Sequence, residues 1–91
     1  MLYLIAYDIA APRRLRRVAA ICLDYGFRVE HSVFECELSA DLFETMWLEL
    51  QGVIRSDEDA LLAYPLCKNC VGRIRSAGIV KRSVREPCFI L

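Results

Sequence analysis

The sequence predicts a single ferredoxin-like domain of the α+β class, in which an antiparallel sheet carries both helices on one face. A chain of 91 residues is long enough for one domain and too short for two. Its apolar stretches alternate between strand and helix periodicity in the order β-α-β-β-α-β. No linker or repeat interrupts that order. We therefore expect one domain over residues 1–91, with an extra C-terminal strand over about 78–91.

The first strand and the first helix have clear limits. Residues 2–7 are almost continuously apolar and stop at Asp8, which is typical of a central strand buried on both faces. Pro12 suits the first position of a helix because the N–H that it lacks has no partner there. Gly26 is a common helix terminator. Apolar residues recur at helical spacing at Leu15, Val18, Ala19, Cys22 and Tyr25.

The middle of the chain predicts two short strands and a second helix. Residues 27–38 are rich in β-branched and aromatic residues, and His31-Ser32 is the expected break between two strands. Ser39 is a suitable N-cap for the helix that follows. The apolar stripe of that helix consists of Phe43, Met46, Trp47, Leu50 and Ile54.

The last third predicts a fourth strand and a tail. Residues 60–66 indicate another buried strand, which stops near Pro65, and residues 68–72 have the composition of a turn. The apolar end, residues 88–91, needs burial although the sheet is already complete. It could pair with the sheet edge of a second copy, giving a homodimer, or pack on its own sheet, and the pattern leaves both open.

Charge is segregated along a chain whose net charge is zero. Residues 1–28 carry five Arg against two Asp, residues 29–59 carry nine acidic residues against one Arg, and residues 60–91 carry six basic residues against one Glu. The pattern fits either solvated faces of alternating sign or a basic surface for phosphates formed by the two ends. The candidate nucleic-acid-binding residues are Arg13, Arg14, Arg16, Arg17, Arg73 and Arg75.

Asp8 is the first candidate for chemistry, because it ends a buried strand and an arginine cluster follows it. It could instead cap the helix that starts near Pro12. Guanidinium groups bind phosphate bidentately, and a carboxylate beside them would repel phosphate unless it held a cation. Mg²⁺ or Mn²⁺ reconciles the two features, since both ions prefer oxygen ligands. The combination indicates phosphodiester chemistry or phosphate docking.

The cysteines and the N-terminal segment indicate a cytoplasmic protein. Residues 1–7 lack a preceding basic segment and are too short to span a membrane, so we expect no membrane partner. Five cysteines without a secretory signal favour reduced thiols. Cys67-x-x-Cys70 has the spacing of half a zinc site, but no second such pair exists. His31, the only histidine, is expected on a strand surface.

Several segments together resemble the CRISPR-associated protein two family, a small dimeric nuclease-like component that accompanies the CRISPR integrase in spacer acquisition. The resemblance extends over nearly the whole chain, in order. The segments that carry it are LIAYDI at residues 4–9, RRV at 16–18, GFRV at 26–29, SVFEC at 32–36 and YPLC at 64–67, with Cys70 following.

The resemblance implies a ferredoxin-like fold, a C-terminal strand exchanged between subunits, and a set of site residues. The metal-ligating aspartate of the family falls on Asp8 and its preceding tyrosine on Tyr7. Positions linked to activity in some members fall on Arg17, Arg28 and Phe34. The two Asp8 carboxylates of a dimer would share either Mg²⁺ or Mn²⁺, or a proton that leaves the site inactive.

The sequence is compatible with two functional hypotheses. One is a metal-dependent endonuclease acting on single-stranded RNA or double-stranded DNA. The other is a scaffold that grips duplex DNA and bridges the CRISPR integrase without cleaving. A toxin-like mRNA interferase of similar fold is a more distant alternative.

Overall fold

The computed structural model describes residues 1–80. Its elements are β1 (Leu2–Asp8), α1 (Pro12–Tyr25), β2 (Phe27–Glu30), β3 (Val33–Glu37), α2 (Ala40–Val53), β4 (Ala60–Leu66) and α3 (Lys68–Val71). The predicted order β-α-β-β-α-β is therefore confirmed, and a short third helix is added. Neither of the two long helices in this part of the chain combines the length and the hydropathy that crossing a bilayer requires.

The sheet is antiparallel throughout, and its strands lie in the order β2-β3-β1-β4. Strand β1 is central, so Ile5 pairs with Phe34 of β3 on one side and with Ala63 of β4 on the other. Successive side chains of a strand point to opposite faces. Tyr3, Ile5 and Tyr7 of β1 therefore face the helices. Residues 4, 6 and 8 belong to the opposite face, which we call the open face.

A single core lies between the sheet and the helix pair α1 and α2. Both helices therefore pack on one face of the sheet, as predicted. Burying one side chain of this size contributes about 1.5–3 kcal/mol. The largest fully buried side chains are Phe34, Ile5, Met46, Leu50, Val18, Cys22 and Cys36.

The ends of both long helices follow local rules. Pro12 is the first residue of α1, and the Ser39 hydroxyl accepts a hydrogen bond from the Leu42 N–H at 3.2 Å. Gly26 ends α1 and donates its N–H to the Cys22 carbonyl at 2.8 Å. A Cβ at Gly26 would collide with the Cys36 sulfur and the Glu35 carbonyl. The chain thus needs glycine here for the close approach of α1 to β3.

Four details differ from the sequence interpretation. The expected turn at 68–72 contains helix α3. Strand β4 has the predicted extent, but the prediction that it is buried is wrong, because β4 is an edge strand whose residues are all exposed or half-buried. The open face of β1 is only half-buried at Leu4 and Ala6. Of the predicted C-terminal strand, residues 78–80 are not in a strand, and residues 81–91 lie outside the described part.

Candidate functional site

A cleft of about 440 Å³ opens at the C-terminal end of β1, between α1 and the turn that joins β2 to β3. It brings together three positions that the sequence singled out separately, Asp8, Arg16 and Arg28. Tyr7 also lies on its wall. The complete lining consists of Tyr7, Asp8, Ile9, Leu15, Arg16, Ala19, Arg28, His31 and Ser32.

Asp8 is exposed at the mouth of this cleft. The N-cap of α1 is Ala11, and no side chain caps that helix, so the alternative in which Asp8 is a helix cap is wrong. Within residues 1–80 the Asp8 carboxylate forms no hydrogen bond or ion pair. A carboxylate without a structural partner can accept a cation or a proton without breaking any contact of the fold.

Arg28 lies over an aromatic ring in the cleft. Its guanidinium carbon lies 5.1 Å from the centre of the Phe34 ring, a cation–π contact. The Arg28 guanidinium lies close enough to Tyr7 to lower the pKa of its hydroxyl, and the Tyr7 ring stacks on Phe34 with centres 6.1 Å apart. The Tyr7 hydroxyl in turn donates to the His31 carbonyl at 3.5 Å. Phe34 is fully buried, so its part in the site is to support Arg28.

Burial raises the pKa of Tyr7, and the neighbouring Arg28 opposes that effect. Tyr7 is therefore a neutral hydroxyl at physiological pH, since its ordinary pKa is already about 10. It can donate or accept a hydrogen bond, but it does not supply a negative charge to the cleft. The charges at the cleft come from Asp8, Arg16 and Arg28.

Arg14 differs from the other arginines of α1. Its Nε donates to Asp59 at 2.8 Å and its Nη2 to Glu58 at 2.8 Å. Arg14 lowers the pKa of the Asp59 carboxyl well below its usual range. Because its guanidinium is already paired bidentately inside the fold, Arg14 is not a free phosphate ligand, and its predicted role is replaced by a structural one.

The other predicted phosphate ligands are exposed. Arg13, Arg16 and Arg17 lie on the outer side of α1, where Arg16 lines the cleft and Arg17 does not. Arg73 and Arg75 lie in the irregular segment after α3. These side chains therefore form two exposed basic groups.

His31 is the site residue that the sequence interpretation missed. It lies in the β2–β3 turn and its side chain is exposed on the cleft wall. A β-bulge between Arg28 and Glu30 precedes it, and bulges commonly re-aim side chains beside functional sites. The only usable signal was that the single histidine directly precedes the SVFEC segment.

One chain alone offers few metal ligands. Across residues 1–80, no three histidine, cysteine, aspartate or glutamate side chains lie close enough to hold an ion together. The Asp8 oxygens are of the kind that Mg²⁺ and Mn²⁺ prefer. A cation here would therefore need water and a second chain to complete its ligands.

The sequence matches a known family and named relatives. The family model described as "CRISPR associated protein Cas2" matches residues 1–74. A protein of Synechocystis sp. named CRISPR-associated endoribonuclease Cas2 3 is 46% identical over 65 residues, which is 71% of each chain. The CRISPR-associated endoribonuclease Cas2 of Chlorobaculum tepidum is 37% identical, with both chains covered completely.

Solved structures agree with these matches. The crystal structure of Streptococcus pyogenes Cas2 at pH 6.5 superposes with a TM-score of 0.77 at 37% identity, covering 86% of this chain and all of that one. A hypothetical protein from Thermus thermophilus superposes with a TM-score of 0.80 at 34% identity, covering 88% of this chain and 93% of that one. The fold is thus shared along most of the chain.

Proposed function

This chain belongs to the Cas2 family of CRISPR-associated proteins, and from that premise we propose that it serves CRISPR spacer acquisition as a homodimer that binds duplex DNA. In that role it bridges copies of the CRISPR integrase, and it has metal-dependent endonuclease activity. The observation that carries the proposal is the unpartnered Asp8 carboxylate beside the Arg16 and Arg28 guanidinium groups. The nuclease part is supported by relatives named endoribonuclease or endonuclease.

The open face of the sheet supports the homodimer. Leu62 and Tyr64 of β4 are each 51% exposed there, and Phe27 of β2 is 38% exposed. The β1 partners of Leu62 and Tyr64 on that face, Ala6 and Leu4, are apolar and half-buried, whereas Phe27 pairs with the buried Glu35. A small domain gains much of its stability by covering such a surface with a second copy. Asp8 ends the same face, so two copies joined through it would bring their Asp8 residues towards the twofold axis.

The exposed arginines support binding to duplex DNA. Arg13, Arg16 and Arg17 extend along one side of α1, and they carry positive charge without an ion pair among the described residues. Arg73 and Arg75 add a second basic group. Phosphate contacts of this kind are indifferent to sequence and weaken as salt rises. That suits a protein that must accept DNA of any sequence.

Asp8 from two subunits would hold Mg²⁺ or Mn²⁺ together with water. Two carboxylates about 4 Å apart repel by roughly 4 kcal/mol at an effective dielectric near 20, and a shared cation removes this cost. When bound, the ion supplies an activated water. Arg16 and Arg28 would bind the phosphate, while Tyr7 and Phe34 hold Arg28 in place. Arg17, which lies outside the cleft, would contact the flanking backbone.

A specific observation favours DNA scaffolding over cleavage as the biological role. Within residues 1–80 each chain contributes a single carboxylate to the cleft and has no cluster of metal ligands. One chain therefore supplies few of the groups that metal-dependent hydrolysis needs. The exposed arginines, by contrast, can bind the phosphates of a duplex without a metal ion or any further side chain. We therefore propose that DNA binding and integrase bridging are primary and that cleavage is a separable activity.

The test compares Asp8→Asn with Asp24→Asn, an exposed aspartate of α1 outside the cleft that serves as the charge control. Cleavage of single-stranded RNA and linear duplex DNA is measured with Mg²⁺, with Mn²⁺ and with a chelator, and spacer acquisition is measured in cells. We expect Asp8→Asn to abolish metal-dependent cleavage while acquisition and DNA binding persist.

Other outcomes would separate the alternatives. Loss of both cleavage and acquisition in Asp8→Asn would make the enzyme the primary role. Unchanged cleavage would remove Asp8 from the active site. A monomer that fails to bind DNA even at low salt would contradict the whole proposal.

A further inference from the structure

The pair Cys67 and Cys70 lies outside the candidate site and has no part in the proposed function. Cys67 directly precedes α3 and Cys70 lies within it. Both thiols are free and exposed, whereas Cys22 and Cys36 are free and buried in the core. Accessible thiols are the ones that react with small molecules in solution.

The backbone places the two thiols on one turn. The Val71 N–H donates to the Cys67 carbonyl at 2.9 Å and so closes the turn that contains both cysteines. Residues three apart on a helical turn have Cβ atoms about 5–6 Å apart. A disulfide requires a distance of about 3.5–4.5 Å between the two Cβ atoms. Cys67 is the N-cap of α3 with an extended backbone, at φ −74° and ψ 168°, so only its carbonyl is bound to the helix, and a small rotation at this residue would bring the two thiols together.

The two cysteines differ in their surroundings. Cys67 lines a cavity of about 560 Å³ whose other walls come from four apolar residues, Met1, Leu2, Leu66 and Val71, and from the charged Glu37 and Lys68. Cys70 does not line it. The N–H groups of Cys70 and Asn69 and the Cys70 thiol lower the pKa of Cys67, although none makes a full capping hydrogen bond. The same contact raises the pKa of Cys70. Cys67 is thus the better nucleophile and is the one beside a cavity that can seat a small molecule.

We propose that Cys67 and Cys70 form a reactive dithiol site that exchanges with low-molecular-weight disulfides such as oxidised glutathione. The Cys67 thiolate attacks one sulfur of the small disulfide, forming a mixed disulfide and releasing one thiolate, which takes a proton. Cys70 then loses its proton to solvent and attacks the Cys67 sulfur, which forms the Cys67–Cys70 disulfide and releases the second thiol. The protein loses two electrons and the small disulfide gains them.

The test treats the folded full-length protein with oxidised glutathione, followed by acid quenching, intact mass measurement and peptide mapping. The wild type should form a Cys67–Cys70 disulfide that dithiothreitol reverses. Cys70→Ser should accumulate one glutathione per chain at Cys67. Cys67→Ser should acquire glutathione more slowly, because the remaining Cys70 thiol does not line the cavity and lacks the backbone N–H groups that lower the pKa of Cys67. Both cysteines are exposed, so we expect either variant to fold.

Two internal controls are present in the chain. Burial raises the pKa of Cys22 to about 12 and that of Cys36 to about 11, so both should stay unmodified while the protein is folded. Cys88 lies outside the described residues, and a parallel series in Cys88→Ser removes its thiol.

Several results would overturn the proposal. Equal rates of adduct formation in the two single variants would remove Cys67 as the specific nucleophile. A disulfide to Cys88 or between chains would show that the pair does not react internally. Tight zinc retention that blocks glutathione would identify a metal site. Each result is independent of whether the chain cleaves nucleic acid.

Discussion

Arg14 and Asp59 are 45 residues apart in sequence and bind each other through a bidentate ion pair, with Nε to Oδ2 at 2.8 Å and Nη2 to Oδ1 at 3.1 Å. The Asp59 side chain is inaccessible to solvent. Its carboxylate also accepts the N–H of Ala10 at 2.9 Å and of Arg55 at 2.8 Å. Asp59 thus ties the loop that follows Asp8 to α1 and to the segment before β4.

Asp59→Asn should lower the melting temperature by several degrees. The amide can accept fewer of these four hydrogen bonds, and it removes the charge that Arg14 neutralises. Because Ala10 lies two residues after Asp8, metal-dependent cleavage should fall as well. Asp57→Asn is the matched control, since Asp57 is exposed and pairs with Arg55 only at 3.5 Å. An equal loss of stability in both variants would contradict the role given to Asp59.

The same pair predicts a pH dependence of stability. The folded pKa of Asp59 is lowered, chiefly by Arg14. The stabilisation is therefore fully present above the unfolded pKa of about 3.9 and is lost as the pH falls through the folded value. Melting temperatures measured between about pH 5 and pH 2 should fall more steeply in the wild type than in Asp59→Asn. Parallel curves would show that another group causes the acid sensitivity.

Gly26→Ala should destabilise the protein by about 1–3 kcal/mol, because the new Cβ must displace the Glu35 carbonyl and the Cys36 sulfur. Gly52→Ala in α2 is the matched control. A Cβ there meets nothing within 4 Å, so alanine should stabilise the helix by up to about 1 kcal/mol. Urea unfolding measures both changes in the free energy of unfolding, provided that its dependence on urea concentration (the m-value) stays the same in the variants. The prediction is wrong if the two substitutions shift stability in the same direction.

Arg17→Gln should weaken binding to linear duplex DNA and reduce the slope of log affinity against log salt by about 1. Arg14→Gln should leave that slope unchanged and lower the melting temperature instead, because its guanidinium pairs with Asp59. Fluorescence anisotropy at several salt concentrations measures the slope. Equal slopes in the two variants would show that Arg14 contacts DNA despite its ion pair with Asp59.

Arg28→Lys should reduce cleavage more than it reduces DNA binding. Lysine keeps the charge but loses the planar group that lies over the Phe34 ring, a cation–π contact worth about 0.5–1 kcal/mol at an exposed site. We expect a several-fold lower kcat with KM little changed. A rise in KM alone would mean that Arg28 only binds substrate. Arg13→Lys, also exposed but outside the cleft, is the control.

The local pattern predicted the elements well. Residues 2–7, 27–38 and 60–66 carry the strands, and the Ser39 cap and the buried pair Met46 and Leu50 follow directly from spacing. Such features depend only on residues within one helical turn or on alternation along one strand, so they can be predicted from the sequence alone. Helix α3 was missed because its four residues are too few to show a periodicity.

The site was predictable only in part. Asp8, Arg28 and the arginines of α1 could be proposed from the sequence, and three of these positions share one cleft. Neither the place of His31 on the cleft wall nor the burial of Phe34 beneath Arg28 could be derived from spacing. Each depends on how β3 pairs with β1 and on the bulge in β2.

By itself, then, the sequence determined which segments are strands and helices and which of their sides are apolar, because those properties arise between residues close in the chain. Only the tertiary structure decided which arginine of α1 is free. Arg14 and Arg17 have the same side chain on the same helix, yet Asp59 reaches only Arg14. Ion pairing acts across space at a few ångströms, and the packing of α1 beside the segment before β4 sets that distance.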